Sequence, residues 1–165
     1  MSADVGDVRK QFPKPTAERQ KMIAQWQEQQ AAERELAVQV RDHMLLMIDS
    51  LLGARLFTSN HVSRMGLIHD MADEWERHHL PGDVKARERH GRYWLNHGGF
   101  ENAQKCFKEC LDVYRKTGAS VDDVRRLTDL LDGAKQMRAK RDEVKAFMDT
   151  PEPAQDEPVF DSFDK

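Results

Sequence analysis

An all-α fold of about five helices is what the sequence predicts, on three observations. Apolar residues recur at helical spacing along most of the chain, β-branched and aromatic residues are scarce, and Gly, Pro and Ser/Thr/Asn caps punctuate it at helix-length intervals. Aromatics are 7% of the 165 residues against 33% charged, which leaves little from which to build a half-buried sheet. The length fits one domain able to bury a core without disulfides or metal.

The first helix is expected to start at Thr16, a cap residue followed by Glu18, and meets no Pro or Gly until Gly53. Its first half is rich in Gln and Glu, with Met22, Ile23 and Trp26 as the apolar positions. Its second half carries Leu36, Val40, Met44, Met47, Ile48 and Leu51, which the spacing assigns to the core. Thr58, Ser59 and Asn60 offer caps for a second helix, striped by Val62, Met65, Ile68, Ala72 and Trp75 and stopped by Leu80-Pro81-Gly82. A third helix runs from about Asp83 to Asn96, a tight turn falls at His97-Gly98-Gly99, and a fourth runs from Phe100 to Lys116 with Gly118 as a left-handed cap. The fifth opens on Ser120 and Asp123, which resemble a capping box, and keeps Val121, Val124, Leu127, Leu130, Leu131, Ala134 and Met137 on one face, continued by Val144, Phe147 and Met148. This gives a flexible arm over 1–14, a helical domain over 15–149 and a disordered acidic tail over 150–165.

The net charge of -3 is unevenly spread: from Asp149 onward there are six acids and one lysine. The two cysteines, Cys106 and Cys110, sit four apart on a helix, where a disulfide is awkward, so reduced thiols and a cytoplasmic setting are expected. No secretory leader is visible, and the most apolar run, Met44 to Leu52, contains Asp49 and is too short to span a bilayer, so no membrane role is expected.

Between Asp83 and Arg115 the residues Gly91, Trp94, Gly98, Phe100, Ala103, Phe107 and Cys110 alternate small and aromatic at the spacing of a helical hairpin. The stretch resembles a single tetratricopeptide (TPR) repeat. It departs from that pattern at Arg87 and His90, which replace Trp and Leu, and at Arg115, which replaces the terminal Pro. The resemblance covers about a fifth of the chain, and no second copy stands one repeat away. It implies a seam of Gly91, Trp94, Gly98, Phe100, Ala103 and Phe107, and a peptide-binding groove lined by Lys85, Glu88, Arg92 and Asn96, with Arg92 and Asn96 holding a carboxylate or backbone group.

Two other patterns touch on chemistry. His69-Asp70 within Gly66–Met71 resembles the core of HD-type metal phosphohydrolases, with His43 upstream and Asp123 or Asp129 as the late carboxylate, although the basic residue expected after the pair is missing. His90, His97, Cys106 and Cys110 imitate a zinc set but lack the Cys-x-x-Cys knuckle, so neither metal nor cofactor is expected. The basic clusters Lys85–Arg89 and Lys135–Arg141 are interleaved with acids, which suits solvated helix faces and disfavours nucleic acid. In the tail, Phe160 and Phe163 beside Asp161 and Asp164 are candidate aromatic anchors for a basic groove.

The reading as a whole is a non-enzymatic adaptor or assembly subunit that binds another protein, with a homodimer through the first helix as a further expectation. A nucleic-acid-associated or viral structural protein is the alternative, and the HD-type phosphohydrolase comes third.

Overall fold

The computed structural model describes residues 16–53 and 59–150, with side chains of the second helix described from Val62. The arm over 1–14, the cap Thr58, and Phe160 and Phe163 of the tail lie outside the described residues. Five helices and no strand are present among those described: α1 (Ala17–Gly53), α2 (Ser59–His79), α3 (Lys85–Asn96), α4 (Phe100–Thr117) and α5 (Val121–Met148). The fold is all-α. Chain contacts divide it into two compact units, Met1–Ala86 and Arg87–Lys165.

In the first unit α1 and α2 run antiparallel. The Trp75 indole N–H donates to the Ala37 carbonyl at 3.0 Å. Further along, Leu45 and Ile48 pack with Ala72 and Ala86, flanked by Met44 and Ile68. The buried stripe of α1 is Ala37, Arg41, Leu45 and Ile48, so the sequence assignment is corrected. Of the six residues given to the core only Ile48 is buried, while Leu36 and Met47 are 62% and 46% exposed. The displaced residues Met47 and Leu51 instead line, with Leu67 and Ile68, an apolar depression of about 490 Å³.

α2 buries Met65 and Ala72 as expected, and with them His69, Asp73 and Glu76. Glu76 is fully buried, and its Oε2 accepts from the Arg41 guanidinium at 3.2 Å and from the Ala86 amide at 2.9 Å. Arg41 also reaches Asp83 at 2.8 Å and Asp42 at 3.1 Å. Burial opposes the charge of Arg41, yet its hydrogen bonds to Asp42 and Asp83 hold its pKa above the ordinary value. Arg34 on Asp83 and Lys85 on Asp42 complete the cluster.

In the second unit α3 and α4 form a hairpin turned by Gly98, whose φ of +77° only glycine adopts without strain. The Gly99 amide closes the turn on the Trp94 carbonyl at 2.8 Å. α4 buries Phe100, Ala103, Cys106, Phe107, Cys110 and Leu111. It ends at Gly118 in the left-handed conformation, whose amide donates to the Tyr114 carbonyl. Ser120 then caps α5, accepting from the Asp123 amide at 3.1 Å. α5 buries Leu127, Leu131 and Ala134. The apolar face read from the sequence does not continue inward beyond that point: Met137 is 48% exposed, Val144 57%, Phe147 82% and Met148 77%.

Candidate partner-binding groove

The hairpin that shapes the site is held by close contacts. A Cβ added to Gly91 would stand 2.6 Å from Phe107 Cε1, and one added to Gly99 would stand 2.5 Å from Trp94 Cε3. Both glycines therefore let a ring lie directly on backbone. Phe100, Ala103 and Phe107 are buried, whereas Trp94 is half-buried at the turn, 5.5 Å from Tyr93 and 5.7 Å from His90 between ring centroids. Gly98 is exposed, and its contribution is conformational.

α3 and the first half of α5 enclose an open groove of about 470 Å³ lined by Arg92, Leu95, Asp122, Arg125, Arg126, Asp129, Leu130 and Gly133. On α5, Asp122, Arg126, Asp129 and Gly133 recur at helical spacing, so one face of that helix supplies the wall. Leu95 and Leu130 give it an apolar floor, both half-buried. Nothing lies within 4 Å of a Cβ built on Gly133, so packing does not demand glycine there, and its missing side chain leaves the groove open.

Three arginines reach this groove in different states. Glu88, with 13% of its side chain exposed, is clamped by two of them: Arg92 at 2.9 Å, and Arg126 through both carboxylate oxygens at 3.2 and 3.0 Å. Arg126 also holds Asp123 at 2.8 Å. The hydrogen bonds to Glu88, ahead of all else, raise the pKa of Arg126 and fix it as a cation. Burial, followed by the charges of Asp123 and Glu88, pushes the Tyr114 hydroxyl pKa up, which keeps that phenol neutral. Arg125, by contrast, makes no hydrogen bond or ion pair among the described residues.

Of the groove residues read from the sequence, Arg92 lines the cavity, whereas Glu88 is spent on internal ion pairs. Lys85 is exposed and donates to Asp42 at 3.0 Å, and Asn96 is exposed at the end of α3. Neither of these two lines the cavity. Sequence reasoning missed Arg125, Leu130 and Gly133. Only the glycine carried a signal, as an uncapped Gly inside a helical pattern.

Of the other patterns the His-Asp set is dispersed, while in the zinc-like set His90 and Cys106 offer ligand atoms within 4.8 Å of one another. His69 is buried while its neighbour Asp70 is exposed, His43 is exposed, and Asp123 is engaged by Ser120 and Arg126. Cys106 and Cys110 are buried, while His97 is exposed with Nδ1 2.7 Å from the Tyr93 carbonyl. In the basic clusters Lys135 pairs with Asp132, and Arg138 and Arg141 pair with Glu101 and Asp142. No helix among the described residues is long and apolar enough to cross a membrane.

These features define an all-α chain in which α3 of the hairpin and the helix after it form a charged groove. Compared with protein-family models, curated proteins and solved structures, the chain matches none.

Proposed function

We propose that the chain is a non-enzymatic interaction protein that binds a peptide segment of another protein in the groove between α3 and α5, in the manner that the TPR-like hairpin implies. The observation that carries this reading is the combination of an apolar floor, Leu95 and Leu130, with the Arg125 cation, unengaged among the described residues, beside it and no side chain at Gly133. Paired arginines are spent on internal carboxylates, whereas an unpaired one beside apolar surface is available to a ligand carboxylate. The partner segment seats an apolar side chain over Leu95 and Leu130 and places an acidic group on Arg125.

The test is selection from a peptide display library on the wild type and on two variants, Arg125→Glu and Gly133→Leu. Arg125→Glu reverses the free cation, and Gly133→Leu fills the groove where space is open. Enriched peptides that pair an apolar with an acidic residue, and that both variants lose, support the reading. No enrichment, or enrichment that neither variant changes, refutes it.

A further inference from the structure

Residues 17–36 of α1 are exposed throughout. This bare half, twenty residues, is a rod about 30 Å long. It carries Met22 at 65%, Ile23 at 43% and Trp26 at 61% exposure. Arg19, Ile23, Trp26, Gln30 and Glu33 follow one another at steps of three and four, and the same stripe continues as Ala37, Arg41, Leu45 and Ile48, the residues that α1 buries. α2 covers the stripe only as far as its own end. There His78 and His79 line a crevice of about 480 Å³ with Gln30, Ala31, Glu33, Arg34 and Ala37. Beyond it the stripe lies open, and a helix with an apolar stripe selects another helix.

We infer that the occupant is a second copy of this same stretch, docked antiparallel with a two-fold axis at Trp26. Length sets the register. Thr16, just before the helix, is exposed as well, so the bare stretch runs over residues 16–36, and overlapping two copies in full puts residue 16 of one beside residue 36 of the other, with the midpoint at Trp26 and the two Trp26 rings meeting there. Charge agrees with length: Arg19 of each copy then stands opposite Glu33 of the other. Neither has an ion-pair partner among the described residues, Glu33 accepting only from the Gln29 and Gln30 amides. Ile23 and Met22 lie over the stems of Gln29 and Gln30, respectively, of the second copy, which exclude water from them.

Sterics and dipoles choose the direction. In a parallel pair both α2 helices would claim the same length of seam. In the antiparallel pair the second copy's α1 begins where α2 stops, and its first turn enters the crevice beside His78 and His79. The negative end of α2 then faces the positive start of the second copy's α1, a favourable head-to-tail arrangement. The interface is isologous, so each contact occurs twice and the assembly closes at two chains.

Sedimentation equilibrium of the full chain, from about 1 to 200 µM, tests this. A reversible dimer is expected, and Trp26→Glu is expected to be monomeric over that range with an unchanged cooperative melt, because the site is remote from the core. Arg19→Glu or Glu33→Arg alone introduces two like-charge contacts per dimer and weakens association about tenfold. The double variant Arg19→Glu/Glu33→Arg restores opposite charges and returns to within about threefold of the original. Arg125→Glu, which tests the α3–α5 groove, serves as the control that leaves association unchanged. A wild type that is monomeric at every concentration, or a double variant weaker than either single one, overturns the proposal.

Discussion

Substituting Gly91→Ala sets two effects of opposite sign against each other, and the geometry decides between them. In an open helix interior, alanine gains about 1 kcal/mol over glycine. At position 91 the new methyl would stand 2.6 Å from Phe107 Cε1, 3.0 Å from Cδ1 and 3.1 Å from Cys106 Cβ, where ordinary contact begins at 3.4 Å. The ring must therefore retreat by about 0.8 Å, and Phe107 is fully buried, so it has no solvent side to move into. Overpacking of this kind costs about 2 kcal/mol and here outweighs the propensity gain, for a net loss of about 1 kcal/mol. For a chain of this size that lowers Tm by about 2–4 °C. Urea denaturation followed by far-UV circular dichroism reads the difference directly. Gly133→Ala is the matched control: nothing lies within 4 Å of the added methyl, so it should show the gain of about 1 kcal/mol unopposed. In a Phe107→Leu background the cost of Gly91→Ala should shrink as space opens. A Gly91→Ala variant as stable as the wild type, or more so, would refute the packing argument and with it the tight hairpin.

Three further outcomes follow from the ion pairs and caps. The Arg141 guanidinium holds the Glu101 carboxyl at about 2, below its ordinary 4.5. The unfolded chain therefore takes up that proton first, so the stabilisation is complete above about pH 4.5 and fades as pH falls toward about 2. Glu101→Gln should flatten this acid limb in a series of melts against pH. Arg41→Met removes the guanidinium from a carboxylate, Glu76, that is fully buried, and should cost about 3–5 kcal/mol. Arg34→Ala breaks only the exposed pair to Asp83 and should cost about 1 kcal/mol or less, so equal losses in urea titrations would argue against a buried cluster. Ser120→Ala removes the acceptor for the Asp123 amide and should cost about 1 kcal/mol, again by urea titration.

Much of the fold was legible because its punctuation is chemical. Gly98 and Gly118 adopt positive φ, Ser120 caps, and Gly53 and Leu80-Pro81-Gly82 fall at helix ends, all readable from residue type. The inward face of α1 was not, because its second half carries apolar residues on more than one side. Counting large side chains favours Leu36 and Met47, while the chain buries Ala37 and Arg41. Hydrophobic patterning is likewise blind to Glu76 and Asp73, buried on α2 with charged partners. The groove was half legible: Arg92 follows from the hairpin resemblance, but Arg125 and Leu130 become neighbours of α3 only through tertiary packing.

α1 is one uninterrupted run of backbone hydrogen bonds in which only the second half is covered. Amide deuteration of the monomer should therefore grade along a single helix, fast before about Leu36 and slow after Ala37, since opening the bare half exposes almost no core. The slow boundary is a ruler: whatever binds the open turns moves it toward Ala17, and the distance it moves gives the length covered.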